Sequence, residues 1–212
     1  MSATPPGSGP SGVARHDDTW TRPHRLAVPV VLIGPMGAGK STVGKRAAKA
    51  LGVPFTDTDR EIVREHGSID RIFAERGEAA FRDLERAAVD AAFDTGGVVA
   101  VGGGAVTHAA TRAAIATCRV VLLTVSADAV AERIVGTDRP LLAVGGIDAW
   151  TAIADARAAT YASLAHVVVD TSRRPMSRVV DDVVAWVRAA ETPGPASAPV
   201  AAAGAPAPEE EP

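Results

Sequence analysis

The chain has 212 residues and a formal net charge of −3, with 22 Lys and Arg against 25 Asp and Glu. This length is enough for one domain with a sizeable core, and the charge balance gives no basic field of the kind that nucleic-acid-binding proteins use. Cys118 is the sole cysteine, which excludes an intrachain disulfide, and no uninterrupted apolar stretch is long enough to span a membrane. The first residues have no long apolar segment of the kind that secretory signals contain, so we expect a cytoplasmic protein that binds neither nucleic acid nor membrane.

Both ends of the chain have the composition of disordered segments. Residues 1–27 are rich in Pro, Gly, Ser and Thr without an apolar period, and residues 191–212 consist largely of Ala, Pro, Gly and Glu. Such segments bury too little apolar surface to offset the entropy lost on ordering. We therefore predict one folded domain over residues 28–190, between a disordered N-terminal segment and a disordered C-terminal tail.

Between the two ends, short apolar runs alternate with segments of helical period. The predicted strands cover residues 28–33, 53–56, 97–101, 120–125 and 167–169. The predicted helices cover residues 41–51, 59–65, 69–75, 78–93, 108–116, 127–134, 147–164 and a last helix that begins near Pro175. Gly77 should break the helical pattern around it, and residues 135–147 have the composition of a loop. The alternation predicts an α/β three-layer sandwich with a five-stranded parallel sheet.

The loop after the first predicted strand has the pattern of a phosphate-binding loop. Residues 34–41 read Gly-Pro-Met-Gly-Ala-Gly-Lys-Ser, a full match to Gly-x-x-x-x-Gly-Lys-Ser between a strand and a helix. Glycines let backbone N–H groups turn toward an anion, and the helix N-terminus adds free donors. Lys40 would reach the β- and γ-phosphates, and Ser41 would offer its hydroxyl to Mg²⁺. Alone, the motif predicts nucleoside triphosphate binding, which ATPases, GTPases and kinases share.

Two carboxylates, Asp57 and Asp59, follow the second predicted strand. In open parallel sheets, ligands bind at the carboxyl ends of the strands. Alternate residues of an extended chain point the same way, so both carboxylates could face the phosphate site. One could hold Mg²⁺ through water, and the other could bind an acceptor hydroxyl and take its proton. The alternative is a solvated turn, or a helix cap formed by Asp59.

Three glycines, Gly102, Gly103 and Gly104, follow the third predicted strand. Without side chains they would permit a close approach between the backbone and a ligand. The alternative is a flexible turn between the strand and the next helix.

Three arginines offer the planar fork that matches carboxylate or phosphate: Arg82 near the start of a helix, Arg139 in the predicted loop, and Arg157 in the helix after it. A single arginine is more often a surface residue. Spacing alone does not favour these three over Arg86 or Arg133.

Taken together, these motifs resemble those of shikimate kinases. The similarity covers about residues 28–187, essentially the whole predicted domain. Its specific stretches, in chain order, are Gly34 to Thr42, Asp57-Thr58-Asp59, Gly77 to Glu85, Gly102 to Val106, Arg139 to Leu142, and Arg157-x-x-x-Tyr161. Six motifs in the same order are far more specific than any one of them.

The resemblance implies a P-loop NTPase fold of the nucleoside-monophosphate-kinase-like type. It also implies ATP-dependent phosphorylation of the 3-hydroxyl of shikimate, a step of aromatic amino-acid biosynthesis, by a monomeric cytoplasmic enzyme with Mg²⁺ as cofactor. The implied catalytic residues are Asp59, Lys40 and Arg139, and the implied Mg²⁺ residues are Ser41 and Asp57. The implied ATP-binding residues are Gly37, Ala38, Gly39, Lys40, Ser41, Thr42, Arg133, Arg139, Arg174 and Pro175.

On the acceptor side, the resemblance implies that Arg82 and Arg157 bind the shikimate carboxylate. Asp59 would contact the shikimate hydroxyls, and Gly102, Gly103 and Gly104 would line the pocket. Phe73 and Phe81 would form pocket walls, and Glu85 would orient Arg82.

Two other functions are open to a chain with a phosphate loop. The first is another small P-loop kinase that acts on a polyol acid, such as a gluconate kinase, which a substrate panel would separate. The second is a nucleotide-binding regulator without catalysis. The presence of Lys40, Asp57, Asp59 and Arg139 favours an enzyme over such a regulator.

Overall fold

The computed structural model of the protein describes residues 24–134 and 146–191. Within these ranges one sheet contains five strands: β1 Val30–Ile33, β2 Phe55–Asp57, β3 Val98–Ala100, β4 Arg119–Thr124 and β5 Val167–Asp170. All neighbouring strands pair in parallel, in the order β2-β3-β1-β4-β5. The central strand β1 is buried along its whole length, as expected for a short apolar run covered on both faces.

Helices cover the two faces of this sheet. Their bounds are α1 Lys40–Leu51, α2 Thr58–His66, α3 Ile69–Phe93, α4 Ala109–Ile115, α5 Ala127–Ile134, α6 Gly146–Leu164 and α7 Met176–Glu191. Val30 and Leu32 of β1 belong to the core that contains α1 and α7 side chains. Val31 and Ile33 belong to the core on the opposite face, with residues of α3, α4 and α6. This alternation along β1 produces the three layers.

The order of the strands reverses at β1, which pairs with β3 on one side and with β4 on the other. In open α/β sheets, ligand sites lie at the carboxyl edge beside such a reversal. The chain segments that leave β1, β2 and β3 at this edge carry the phosphate loop, the two aspartates and the three glycines. The fold therefore brings the three predicted motifs to one edge of the sheet.

Helix α3 bends at Gly77, whose φ of 78° and ψ of 172° lie outside the helical region. An L side chain rarely adopts this positive φ, so glycine allows the chain to turn between two helical segments. The side chains of Ile62, Ile72 and Phe81 pack together and join α2 to both segments of α3. The predicted break at Gly77 is confirmed, and it starts a new helical turn just before Phe81 and Arg82.

The prediction of a five-stranded parallel sheet in an α/β sandwich is confirmed, and the element bounds differ by a few residues. Apolar periodicity missed the short 3₁₀ turn Ala105–Thr107, which is too short to show a period. Helix α6 begins at Gly146, inside the predicted loop 135–147, and residues 135–145 of that loop lie outside the described ranges.

Ordered contacts extend slightly beyond the predicted limits of residues 28 and 190. Leu26 is buried, and its N–H donates to the carbonyl of Gly96 at 2.8 Å. At the other end, Glu191 closes α7 and forms an ion pair with Arg119. Among the helices that the structure describes, none is both long and apolar enough to cross a bilayer.

Candidate active site

The phosphate loop curls around the head of its own lysine. The Lys40 Nζ donates to the carbonyls of Gly34 at 2.8 Å and Pro35 at 3.0 Å. Gly34 has a φ of 133°, and a Cβ there would lie 2.1 Å from the carbonyl oxygen of Leu123, so only glycine fits beside β4. Gly39 caps α1 with a φ of 86° and turns the chain into the helix that begins at Lys40.

The other residues predicted to bind the phosphates follow this turn. Gly37 and Ala38 lie in the loop, and Ser41 and Thr42 lie in the first turn of α1. The N-terminal turn of a helix presents unpaired N–H groups and a favourable dipole to an anion. The loop and this helix end can therefore bind a chain of phosphates beside the ammonium of Lys40.

The two aspartates come together in a different way from the predicted one. The expectation of an extended Asp57–Asp59 segment is wrong, because α2 begins at Thr58 and Asp59 lies in its first turn. Asp57 rather than Asp59 caps the helix, since its Oδ1 accepts the Arg60 N–H at 3.2 Å. Asp57 remains at the carboxyl end of β2 and is 8% exposed.

The carboxylate of Asp59 lies among charges from both sides of the site. Burial raises its pKa, the charge of Asp57 raises it further, and the charges of Lys40 and Arg82 lower it, with a net upward shift. A carboxylate with a raised pKa is a stronger proton acceptor once it is ionised. Asp59 is therefore suited to general base chemistry between a phosphate site and a second cationic site.

The three glycines form a wall against which functional side chains pack. A Cβ on Gly102 would lie 2.6 Å from Asp59 Oδ1 and 2.9 Å from Glu85 Oε1. A Cβ on Gly104 would lie 2.8 Å from Arg82 Nη1 and 2.9 Å from Arg82 Nη2. The absence of side chains at these two positions therefore leaves room for a carboxylate and a guanidinium.

The middle glycine joins this wall to the phosphate loop. A Cβ on Gly103 would lie 3.5 Å from both the carbonyl oxygen of Gly34 and the backbone nitrogen of Met36. These are ordinary van der Waals distances, so the two loops are direct neighbours. An acceptor molecule on the glycine wall would thus lie beside the phosphates bound to the loop.

Arg82 is held by two carboxylates of its own helix. Its Nη1 donates to Glu85 Oε2 at 2.7 Å and its Nη2 to Glu78 Oε1 at 3.1 Å. The guanidinium carbon lies 5.3 Å from the centroid of the Phe81 ring, which in turn lies 4.7 Å from that of Phe73. Glu85 therefore holds Arg82 in one orientation, and Phe81 packs between Arg82 and Phe73.

Glu85 is the most deeply buried acid of the site, with 1% of its surface exposed. Burial raises its pKa most, the hydrogen bond and charge of Arg82 oppose that shift, and Asp59 adds to it. The charge of Arg157 also lowers the pKa of Glu85. Both predicted carboxylate-binding arginines therefore favour the ionised form of one buried acid.

Arg157 contacts the glycine wall from α6. Its Nη1 donates to the carbonyl of Gly103 at 3.1 Å, and the hydroxyl of Tyr161, one turn later, donates to the same oxygen at 2.6 Å. Tyr161 is 3% exposed, and burial raises its pKa, so the hydroxyl keeps its proton and can act as a donor. Arg82 and Arg157 thus approach adjacent parts of the glycine wall, as two groups that bind one carboxylate would have to do.

The remaining predicted ATP-binding residues are Arg133 on α5, Arg174 and Pro175 between β5 and α7, and Arg139. The Arg133 Nη1 donates to the carbonyl of Gly37 at 3.0 Å, and its guanidinium also contacts Thr171 after β5. Arg174 pairs with Asp182 at 2.7 Å, with both side chains about half exposed. Pro175 immediately precedes α7, and Arg139 lies outside the described residues.

A magnesium site would use Ser41 and Asp57. Within residues 24–134 and 146–191 there is no cluster of three acidic, histidine or cysteine side chains that could hold a metal without further ligands. A hydroxyl and a carboxylate are hard oxygen donors of the type that Mg²⁺ prefers, and this ion commonly completes its shell with water and substrate phosphates. The two residues therefore fit a magnesium ion that arrives with a nucleotide.

Trp150 contacts the phosphate loop, and this contact was not predicted from the sequence. Its Nε1 donates to the carbonyl of Met36 at 2.9 Å, and the side chain is 7% exposed. The two residues are 114 positions apart, so no local pattern connects them. The usable signal is that Trp150 shares its helix with the paired Arg157 and Tyr161, seven and eleven residues later.

Comparisons with known proteins identify relatives of this chain. Residues 36–188 match the family model described as shikimate kinase. A shikimate kinase from Streptomyces coelicolor is 44% identical over 153 residues, which cover 71% of this chain and 90% of that protein. A shikimate kinase from Mycobacterium tuberculosis is 43% identical over 177 residues, which cover 82% of this chain and 99% of that protein.

The fold has a counterpart of the same name among solved structures. A shikimate kinase from Acinetobacter baumannii, solved in complex with shikimate, superposes with a TM-score of 0.72 at 31% identity. The superposition covers 77% of this chain and 94% of that one.

Proposed function

Because the chain belongs to the shikimate kinase family, we propose that it transfers the γ-phosphoryl group of ATP to the 3-hydroxyl of shikimate, with Mg²⁺, in the site described above. The products are ADP and 3-phosphoshikimate. The observation that carries this proposal is the direct contact between the phosphate loop and a glycine wall flanked by Arg82, Arg157 and Asp59. This arrangement supports a donor and an acceptor bound side by side.

The donor half would bind ATP through its phosphates. Backbone N–H groups of the loop and of the first turn of α1 would bind the phosphate oxygens, and Lys40 would exchange its carbonyl partners for the β- and γ-phosphates. Ser41 and Asp57 would hold Mg²⁺, which neutralises phosphate charge when it is bound. Arg133, Arg139, Arg174 and Pro175 are carried over from the family motifs as further ATP contacts.

The acceptor half would orient shikimate through its carboxylate. Arg82 lies against Gly104 and Arg157 against Gly103, so the two guanidinium groups could bind one carboxylate from two sides. Glu85 would keep Arg82 in place through their contact at 2.7 Å. The ring of shikimate would then lie over the glycine wall, where a side chain would obstruct it.

Asp59 would act as the base. The hydroxyl oxygen of shikimate attacks the γ-phosphorus, the bond from that phosphorus to the bridging oxygen of ADP breaks, and the hydroxyl proton moves to the Asp59 carboxylate. The position of Asp59 between Lys40 and Arg82 supports this role, since both charges bear on its pKa. Positioning and charge neutralisation supply most of the rate in phosphoryl transfer.

We further propose a cytoplasmic monomer that binds small molecules rather than nucleic acid or membrane. The formal charge of −3 provides no basic field for nucleic acid, and the single cysteine is typical of a reducing compartment.

A coupled ADP-release assay tests the proposal. Purified protein with ATP and Mg²⁺ should release ADP with shikimate and not with gluconate, and 3-phosphoshikimate should accumulate in equal amount. ADP release that favours gluconate would contradict the assignment of the acceptor. Release that no acceptor stimulates would indicate a nucleotide hydrolase or regulator instead.

Arg82→Ala tests the carboxylate site against a matched control in the same helix. The variant should raise the KM for shikimate by about 10- to 100-fold and leave the KM for ATP unchanged, because a hydrogen bond to a charged group contributes about 1.5–3 kcal/mol. Arg86→Ala is the control, since Arg86 pairs with Asp90 and the carbonyl of Ala110. Equal losses in the two variants, or a parallel loss of ATP affinity, would contradict the role of Arg82.

A further inference from the structure

Helix α6 contacts both halves of the site with one face. Trp150, Arg157 and Tyr161 are spaced by seven and four residues, which places them on the same side of a helix. The Trp150 Nε1–H donates to the carbonyl of Met36 in the phosphate loop at 2.9 Å. The Tyr161 hydroxyl donates to the carbonyl of Gly103 in the glycine wall at 2.6 Å. One rigid element therefore holds a backbone carbonyl of each loop.

The contact of Trp150 fixes a peptide group of the phosphate loop. The carbonyl of Met36 and the N–H of Gly37 belong to one planar peptide group, so a hydrogen bond to the carbonyl also sets the direction of that N–H. The indole is 7% exposed, and a buried N–H without a partner is costly. The bond therefore resists rotation of this peptide more than a solvated contact would.

The contact of Tyr161 fixes the glycine wall in the same manner. The Gly103 carbonyl accepts from both Tyr161 and Arg157, and the tyrosine is 3% exposed. Glycine peptides are otherwise the most mobile part of a backbone. The two donor residues are eleven positions apart in the sequence of α6, which is a rise of about 16 Å along the helix axis.

We propose that α6 is a strut that sets the position of the phosphate loop relative to the glycine wall, with Trp150 and Tyr161 as its positioning residues. The inference rests on the proposed function, because it concerns the geometry between ATP and the acceptor. A misplacement of about 1 Å in an active site can cost as much as 100-fold in rate. Loss of either contact should therefore reduce turnover even though neither side chain touches the reacting atoms.

The test uses Trp150→Phe and Tyr161→Phe in the full chain, which remove one donor each and keep a ring in place. Trp150→Phe should weaken binding of ATP and of inorganic tripolyphosphate by about five- to tenfold in calorimetric titrations and leave shikimate binding unchanged. Tyr161→Phe should weaken binding of shikimate by a similar factor and leave binding of ATP and of tripolyphosphate unchanged. Each variant should lower kcat by about tenfold at saturating substrates.

Trp186→Phe is the matched control, because Trp186 packs against the core on the opposite face of the sheet. It should change neither binding nor kcat. The strut is refuted if Trp150→Phe keeps wild-type kcat and tripolyphosphate affinity. It is also refuted if both variants weaken the binding of both ligands equally and in proportion to a fall in melting temperature. That result would indicate a merely structural role for the two side chains. If wild-type protein fails to phosphorylate shikimate, the proposed function fails, whereas tripolyphosphate binding to Trp150→Phe still tests the contact with the phosphate loop.

Discussion

Replacement of Gly104 by alanine should displace the guanidinium of Arg82 although Arg82 itself is unchanged. Gly104 has a φ of −88° and a ψ of −12°, which alanine adopts without strain. The new methyl group would lie 2.8 and 2.9 Å from the two terminal nitrogens of Arg82, where 3.4 Å or more is ordinary. The variant therefore tests the fit between the glycine wall and the guanidinium, with the backbone left alone.

The expected rise in the KM for shikimate follows from the contact that the guanidinium of Arg82 would lose when it is displaced. Arg82 is confined by Glu85 at 2.7 Å, by Glu78 at 3.1 Å and by the ring of Phe81, so it cannot retreat by half an ångström without weakening a charge-assisted contact. Such a contact contributes about 2 kcal/mol, which corresponds to roughly a 30-fold rise in the KM for shikimate. The KM for ATP should be unchanged, since the phosphate loop lies against Gly103 rather than Gly104.

Steady-state kinetics with a double-mutant cycle provide the assay. If Gly104→Ala acts through Arg82, it should have little further effect in the Arg82→Ala background. Gly103→Ala is the control for folding, because the nearest atoms to its added methyl group would lie at an ordinary distance of 3.5 Å. The melting temperature of this variant should equal that of the wild type. Equal effects of Gly104→Ala in the presence and absence of Arg82 would refute the reasoning.

Two further changes probe the energetic cost of the site and of the core. Because the pKa of Asp59 is raised by burial, the folded protein binds its proton more tightly than the unfolded chain, and stability is lost as the pH rises through the folded pKa. Asp59→Asn should therefore raise the melting temperature at neutral pH while it abolishes turnover, and the gain should shrink as the pH is lowered; a constant gain at all pH values would contradict this cause. Gly44→Ala would place a methyl group 2.6 Å from Phe55 Cε2 and 3.0 Å from Leu32 Cδ1, and it should destabilise the protein by about 1–2 kcal/mol in urea unfolding. Its KM values should be unchanged, and wild-type stability would show that β2 can shift to make room.

The phosphate loop was predictable because its chemistry is local. Gly34, Gly39 and Lys40 lie within seven residues, and each conformation follows from the residue type. The Arg82–Glu85 pair was implied by the family resemblance, and its spacing of three residues is one that brings two side chains together on a helix. Such features need only the period of one element.

The rest of the site depends on distances between elements, which a sequence does not encode in any local pattern. Asp57 and Asp59 were expected to align as in a strand, but the cap formed by Asp57 starts a helix one residue later. The contact between Trp150 and Met36 joins positions 114 residues apart. Resemblance to a family identified the acceptor arginines, whereas spacing alone did not separate Arg82 from Arg86.

The two ion pairs of Arg82 also affect which cellular anions can bind at its guanidinium. A carboxylate that binds there must share the guanidinium with Glu78 and with the buried Glu85, which already contact its two terminal nitrogens. Inorganic phosphate or sulfate would gain hydrogen bonds and electrostatic attraction at the guanidinium, and chloride would gain the attraction alone, but the two glutamates already neutralise much of that charge. An acceptor that also fills the glycine wall gains contacts that these ions lack. The two glutamates would thus weaken the binding of abundant small anions and reduce their inhibition of the enzyme.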